Sequence, residues 1–245
     1  IMTKIYEFKN HILIYTKNLE PSPHCHTAAH IIISMKDKMK IIVNNDEFWC
    51  QGIIIPSKAM HKVETYGNPI LVFLYDSTTN VAKHIQNVQE IEVKKCVNIV
   101  SKYQKFIIDN NKSVYTKIEK DIYKLLEIDI LNDCVIDDRI IAAIKYIKEN
   151  FKYNITCKAV ANAVFLSEGR FSHLFKEQVG MTFASYLIYQ RILNAYTNVI
   201  SGKTVTEAAL EAGFSDSAHF AGINRRVFGI SIRNILKDLT YIKVK

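Results

Sequence analysis

The sequence predicts an α+β fold, in which a helical connector joins an N-terminal β-rich domain to an all-α C-terminal domain. Short β-rich runs separated by turn residues occupy residues 12–75, whereas apolar residues recur with helical spacing from about residue 94 onward. A composition of 49% hydrophobic and 23% charged residues is that of a folded globular protein. We expect domains at residues 1–92, 93–136 and 137–245.

The N-terminal domain is predicted to be a small barrel or sandwich. Seven short runs have strand character: ILIYT, HIIISM, MKIIV, EFWC, GIIIP, HKVET and ILVFLY. Asn44, Asn45 and Asp46 favour a hairpin turn between two of these strands. Many short strands at such spacing are typical of small all-β domains.

The connector is predicted to contain two helices with apolar stripes. The first stripe runs from Cys96 to Phe106 and the second from Ile118 to Leu126. Such stripes can pack inside their own domain, or they can form the interface of a homodimer. Both alternatives stay open from the sequence.

Positive charge is concentrated in the C-terminal part of the chain. Residues 1–137 hold 17 Lys and Arg against 16 Asp and Glu, a net +1, whereas residues 138–245 hold 15 against 8, a net +7. This asymmetry is expected when one domain meets a polyanion such as nucleic acid, a merely solvated basic surface being the alternative. We expect a cytoplasmic protein without membrane contact, because the sequence has no apolar run of about 20 residues and no secretory signal.

Two similar blocks at residues 155–180 and 205–229 each predict a helix, a tight turn and a second helix. The expected caps of the first block are Thr156 and Ser167, and those of the second are Thr204 or Thr206 and then Ser215 or Asp216. A helix over residues 182–201 separates the blocks and would be roughly 30 Å long, close to the roughly 34 Å pitch of B-DNA. Each block therefore has the pattern of a helix-turn-helix motif. The helix over residues 182–201 is long enough to place the two motifs in successive major grooves of one duplex.

Residues 138–236 resemble the DNA-binding domain of AraC/XylS-type transcription regulators. The resemblance is carried by DDRIIAAIKYI, LSEGRFSHLFKEQVGMTFASYLIYQRILNA and VTEAALEAGFSDSAHF. It implies a seven-helix domain whose third and sixth helices enter the major groove. The DNA-facing residues that it implies are Gly169, Arg170, Ser172, His173, Lys176, Ser217, Ala218, Ala221, Gly222, Arg225 and Arg226. The implied partners are double-stranded promoter DNA, a second copy of the chain and RNA polymerase.

The sequence departs from this family pattern in the second block. Gly222 and Asn224 stand where the family usually has Arg and Phe, and SIRNI replaces a motif that normally contains Pro. Glycine within a helix supplies no base contact and costs about 1 kcal/mol relative to alanine. We therefore expect the second block to grip phosphates through Arg225 and Arg226, and the first block to read bases.

Four histidines mark a candidate ligand site in the N-terminal domain. HCHTAAH places His24, His26 and His30 close together, and His61 follows a later strand. The spacing is similar to the cupin pattern HxHxxxE followed by a distant His, with His30 in the position of the glutamate. Four imidazoles suit Zn²⁺, Ni²⁺, Cu²⁺ or Fe²⁺. Cupin-like effector domains of AraC/XylS-type regulators commonly keep such histidines without metal, so a divalent metal, a small organic effector and no small ligand all stay open.

The leading hypothesis is a sequence-specific transcription regulator, not an enzyme, whose N-terminal barrel senses a small molecule or a metal. One alternative is a metal-dependent cupin enzyme with an attached DNA-binding module. Another is an architectural protein that binds DNA without sequence preference, in which case specific and random duplexes would compete equally.

Overall fold

The structure, a computed structural model, describes residues 3–8, 11–17, 23–77, 79–109, 112–128, 137–228 and 239–243. The chain divides into two compact units. The first comprises Ile1–Ser77, Val81–Ile130 and Arg225–Lys245, and the second comprises Thr78–Asn80 and Leu131–Asn224. Residues 231–235, which hold the SIRNI departure, lie outside the described residues. None of the described helices is both long enough and apolar enough to cross a membrane.

All seven predicted runs are strands, and three further strands join them. The strands are β1 Thr3–Glu7, β2 His11–Thr16, β3 Ala29–Ser34, β4 Met39–Val43, β5 Asp46–Cys50, β6 Gly52–Ile55, β7 His61–Glu64, β8 Ile70–Tyr75, β9 Gln89–Glu90 and β10 Leu239–Lys243. Asn44 and Asn45 form the predicted turn between β4 and β5 with φ of 49° and 78°, which asparagine tolerates better than most residues.

The strands form two sheets that, among the described residues, do not close into a barrel. The larger has the order β10-β1-β2-β8-β3-β6-β9 and the smaller the order β5-β4-β7. Every pairing is antiparallel except that of β1 with β10, which is parallel. The expectation of helical structure almost to the end of the chain was thus wrong for residues 239–243. Their partner strand lies more than two hundred positions away in sequence, where local patterns carry no information.

The connector helices belong to the core of the first unit. Helix α1 spans Asn80–His84, α2 spans Val93–Asp109 and α3 spans Lys112–Leu125. The stripe of α2, including Cys96 and Tyr103, and the stripe of α3 are buried in one cluster with one face of the larger sheet. The sequence allowed these stripes either to pack inside their own domain or to form a dimer interface, and the structure shows them packed inside the first unit.

The helices of the C-terminal part begin at the caps that the sequence predicts. They are α4 Asp138–Asn150, α5 Cys157–Ala163, α6 Glu168–Val179, α7 Phe183–Ile200, α8 Val205–Glu211 and α9 Ser217–Phe228. The N-cap of α4 is Asp137, whose carboxylate accepts hydrogen bonds from the backbone N–H and the guanidinium of Arg139. This contact lowers the pKa of Asp137 to about 2. Thr204, rather than Thr206, caps α8 and forms a capping box with Glu207.

A set of short contacts ties α7 to the segment after α4 and to the turn before α9. The guanidinium of Arg191 in α7 donates to the carbonyls of Phe151 and Tyr153, at 2.8 and 3.0 Å. Gly213 follows α8 with φ of +87°, and a Cβ placed there would lie 2.8 Å from the carbonyl oxygen of Lys152. The turn of the second helix-turn-helix block therefore packs closely against the backbone between α4 and α5, which precedes the first block.

Candidate nucleic-acid interface and histidine cluster

The second helices of the two blocks, α6 and α9, begin with equivalent caps. Ser167 Oγ accepts from the backbone N–H of Arg170, three residues on, and Asp216 Oδ1 accepts from the backbone N–H of His219, also three residues on. Of the two caps that the sequence allowed for α9, the structure uses Asp216. The caps therefore give a common register, in which position 170 of α6 corresponds to position 219 of α9.

None of the eleven residues predicted to face DNA is buried. Lys176 and Ser217 are half-buried and the other nine are exposed. The opposite faces of α6 and α9 hold the core, with Phe171 and Phe175 fully buried in α6 and Phe220 fully buried in α9. Each helix thus keeps an exposed face that includes its first turn, which is the geometry that a major-groove helix requires.

Two side chains of α6 already have partners at this surface. Ser172 Oγ lies 3.2 Å from the thiol of Cys157 in α5, so the first helix of the block can orient the hydroxyl. The His173 imidazole lies 3.7 Å from the Glu177 carboxylate one turn later. His173 remains 72% exposed, so the ring can reach a ligand despite this weak contact.

His219 occupies a place in α9 that the sequence-based list omitted. In the common register it corresponds to Arg170, and it is exposed. The backbone N–H of Ser215 donates to His219 Nδ1 at 3.4 Å, and Ser215 Oγ lies 3.0 Å from the same nitrogen. Because Nδ1 accepts a hydrogen bond, the proton belongs on Nε2, which then is a donor. Aligning the two blocks on their caps would have found this residue.

The two residues of α9 that depart from the family pattern, Gly222 and Asn224, lie in different environments: one is exposed and the other is buried. Nothing lies within 4 Å of a Cβ built on Gly222, so this position is open and simply lacks a side chain. Asn224 is fully buried and accepts a hydrogen bond from the hydroxyl of Tyr196 in α7. Ile223, the preceding residue, is only half-buried. The core position falls on Asn224 because it lies one turn after Phe220, and the hydroxyl of Tyr196 satisfies its amide.

The four histidines of the N-terminal unit come together between the two sheets. His30 lies on β3 of the larger sheet and His61 on β7 of the smaller one, and their ring centroids are 4.7 Å apart. His24 pairs with His61 through two backbone hydrogen bonds of 2.9 Å. The ring of His26 is 4.2 Å from that of His30 and 5.2 Å from that of His61. Residues 23–28 are not a regular strand, yet Cys25 is exposed while the rings of His24 and His26 stack together.

Burial keeps the imidazoles of His26, His30 and His61 neutral. It lowers the pKa of His26 to about 2, that of His61 to about 4 and that of His30 well below its usual value, and the neighbouring imidazoles lower the pKa of His26 and His30 further. The Nδ1 of His61 lies 2.9 Å from the carbonyl oxygen of Ala59. A carbonyl only accepts, so His61 carries its proton on Nδ1, and Nε2 keeps a lone pair.

Three of the four histidines have the spacing of a metal-ligand set. One ring nitrogen from each of His24, His26 and His61 lies within 4.8 Å of the others. His30, the fourth predicted ligand, is in contact with this set through its ring but is not part of it. The residues therefore offer three imidazole nitrogens to a metal, and the glutamate position of the cupin pattern contributes no carboxylate.

Comparison with known proteins agrees with the geometry of the C-terminal part. A family model described as "Helix-turn-helix domain" matches residues 160–238. The HTH-type transcriptional activator RhaS of Escherichia fergusonii is 32% identical over 100 residues, which are 40% of this chain and 36% of that protein. RhaS of Escherichia coli O9:H4 is 34% identical over 91 residues, 37% of this chain and 33% of that protein. The match thus spans about a third of the length of these relatives.

The fold of the whole chain also has a counterpart among solved structures. The structure of ToxT from Vibrio cholerae covers 94% of this chain and 98% of that chain, with a TM-score of 0.53. Sequence identity is 11%, so this likeness concerns the fold alone. The chain joins a sheet-rich N-terminal region to a C-terminal helix-turn-helix domain.

Proposed function

We propose that the protein is a sequence-specific DNA-binding transcription regulator that inserts α6 and α9 into successive major grooves of one duplex. The observation that carries this proposal is the pair of equivalently capped helices, each with an exposed face that includes its first turn. Helix α7 between them has 18 residues, which at about 1.5 Å per residue give about 27 Å. The similarity of the C-terminal part to activators such as RhaS supports regulation as the purpose of binding.

The two helices differ in what their exposed faces offer to DNA. In α6, Arg170, Ser172 and His173 present donors and acceptors to base edges, the bidentate Arg–guanine pair being the commonest specific contact. In α9, Arg225 and Arg226 lie exposed in the last turn, and we assign them to phosphate contacts. We therefore assign base readout mainly to α6.

His219 adds a candidate base contact to α9. Its Nε2–H donor stands at the register position of Arg170 and fits the acceptors O6 and N7 of guanine. We propose one base contact from α9 through His219, flanked by phosphate contacts. Gly222 leaves the following turn of α9 without a contact.

Equilibrium binding of single variants to selected and random duplexes at several salt concentrations tests this assignment. Arg170→Ala should cost about 1–3 kcal/mol on the selected site and relax preference at one base position. Arg226→Ala should weaken all duplexes alike and reduce the salt slope by about 1. Lys148→Ala, at an exposed position of α4 outside both faces, is the matched control.

Two outcomes would contradict the proposal. If Arg170→Ala and Arg226→Ala change the affinity for every duplex equally, the assignment of base contacts to Arg170 and of phosphate contacts to Arg226 is wrong. A protein that prefers its selected site over random DNA by much less than about a thousandfold would be an architectural protein instead.

The N-terminal unit is proposed to be a cupin-like effector domain in a cytoplasmic homodimer. Val93 and Val97 support the dimer, since they lie one turn apart on α2 and are 51% and 53% exposed. Light scattering should report a dimer for the natural chain and a monomer for Val97→Glu. RNA polymerase is the further partner that a transcription activator would contact.

The competing function is a metal-dependent enzyme with an attached DNA-binding module. The three-histidine set favours it, because catalytic zinc sites combine three protein ligands with an open position. Specific DNA binding by metal-free protein, together with no turnover in a substrate screen of the metal-loaded form, would exclude this alternative in favour of the regulator.

A further inference from the structure

We infer that His24, His26 and His61 together bind one divalent transition-metal ion, and that this ion is the effector of the proposed regulator. The effector role rests on the proposed function, whereas the metal site stands on the geometry of the N-terminal unit alone. The ion class is one that prefers imidazole nitrogen, for which Zn²⁺ is the first probe.

Unpartnered nitrogens in the cluster are the first argument. His26 is 4% exposed, and neither of its ring nitrogens has a hydrogen-bond partner among the described residues. The same holds for Nδ1 of His30, which is 3% exposed. Buried polar groups in folded proteins are nearly always satisfied, so these nitrogens call for a ligand. A metal ion satisfies one of the two ring nitrogens of His26 directly.

The orientation of His61 is the second argument. The carbonyl of Ala59 holds its Nδ1–H at 2.9 Å, which fixes the tautomer and leaves the Nε2 lone pair for a ligand. Histidines that bind a metal through one ring nitrogen ordinarily donate the N–H of the other nitrogen to a carboxylate, a backbone carbonyl or water, as His61 does here. His61 therefore has the environment of a ligand before any ion is considered.

The spacing of the three rings is the third argument. Nitrogens that lie about 2.0–2.1 Å from a tetrahedral zinc are about 3.4 Å apart. The three ligand nitrogens lie within 4.8 Å of one another, so the rings need to move by only about 1 Å to close on an ion. The two backbone hydrogen bonds between His24 and His61 hold two of the three ligands together.

The donor set indicates which ions bind and how. Three imidazoles without a carboxylate suit Zn²⁺, Cu²⁺, Ni²⁺ or Fe²⁺ and disfavour Mg²⁺ and Ca²⁺, which prefer oxygen. Three protein ligands leave one position of a tetrahedral ion for water or an exchangeable ligand. His30 packs against His26 from β3 and is assigned to the wall of the site rather than to the ligand set.

Metal binding is tested on the full chain after removal of metals with a chelator. Calorimetric titration with Zn²⁺ should give one equivalent per chain, and Co²⁺ should give the intense visible absorption of a four-coordinate site. Mg²⁺ should give no signal. Failure of the natural chain to take up one equivalent of Zn²⁺ or Co²⁺ would overturn the site.

Single variants identify the ligands. His24→Gln and His61→Gln should each weaken affinity by more than the roughly 10–100-fold that loss of a supporting residue costs. His84→Gln, an exposed histidine on α1, is the control and should bind as the natural chain does. His30→Gln should lose less than the ligand variants, and an equal loss would overturn the three-ligand assignment.

Folding of each variant is checked by circular dichroism and by the emission of the single tryptophan, Trp49. His24 is only half-buried, so His24→Gln is the substitution least apt to disturb the core. If it unfolds the unit, the Co²⁺ spectrum of the natural chain still decides whether a four-coordinate site exists.

The effector role has its own measurement. Affinity for the selected duplex should differ between metal-free and Zn²⁺-loaded protein by at least about fivefold, the low end of ordinary allosteric coupling. His24→Gln should abolish that difference, whereas the control His84→Gln should keep it. Metal binding with unchanged DNA affinity would overturn the effector role, whereas loss of specific DNA binding in both forms would overturn the proposed function instead.

Discussion

Replacing Gly213 by alanine should destabilise the C-terminal domain by about 2–5 kcal/mol. Gly213 has φ of +87°, and a side chain in the left-handed region costs about 1–2 kcal/mol. The added Cβ would also lie 2.8 Å from the Lys152 carbonyl oxygen and 3.1 Å from Arg191 Nε, and overpacking of this kind adds about 1–3 kcal/mol. The backbone of the α4–α5 segment must shift to accept it.

Gly202 provides the matched control. It has φ of +97°, close to that of Gly213, but nothing lies within 4 Å of its built Cβ. Gly202→Ala therefore has only the conformational cost of about 1–2 kcal/mol. The difference between the two alanine variants isolates the contact with Lys152.

Urea unfolding of the full chain measures both effects. Helical circular dichroism follows α4–α9 along with α2 and α3, whereas emission of Trp49 follows the N-terminal unit alone. The loss for Gly213→Ala should appear in the dichroism transition and leave the Trp49 transition in place. If Gly213→Ala is no more destabilising than Gly202→Ala, the close packing of Gly213 against the segment after α4 is wrong.

Three further changes test local features of the same domain. Phe165 is 95% exposed with φ of +56°, so Phe165→Gly should raise stability by about 0.5–1 kcal/mol in urea, and an unchanged midpoint would argue against the strain. Thr204→Ala removes the capping box with Glu207 and should cost about 1 kcal/mol in the same assay, where a loss near zero would contradict it. Arg139 lowers the pKa of Asp137 from 3.8 to about 2, so the stabilisation is complete above about pH 4 and is lost as the pH falls from about 4 to 2. Asp137→Asn should flatten this part of the acid titration of stability, and an unaltered profile would show that another group is responsible.

Features set by neighbouring residues were predictable from the sequence. The caps at Asp137, Thr156, Ser167 and Thr204 follow from side chains that bond to backbone N–H groups two or three positions away. The strands between residues 12 and 75 follow from runs of β-branched residues with turn residues between them. Both are local, so one sequence suffices.

Features set by distant pairing were not predictable. Strand β10 pairs with β1 across nearly the whole chain, and the separation of the strands into two sheets depends on which edges pair. Asn224 stands where the family pattern usually has Phe, and its hydrogen bond from Tyr196, 28 residues earlier, could not be predicted from local sequence. His30 was predicted to be a metal ligand together with His24, His26 and His61, and only the geometry leaves it outside the group of three closely spaced ring nitrogens.

The shared cap register makes α6 and α9 comparable position by position, which has a consequence for engineering. Exposed residues that lie at equal distances after Ser167 and after Asp216 can be exchanged without replacing a core side chain. Gly222 corresponds to His173 and has open space around it, so Gly222→His would graft the contact of one helix onto the other. The preferred operator of such a variant would then lengthen on one side only, and selection from a random DNA pool would reveal which half of the natural site each helix reads.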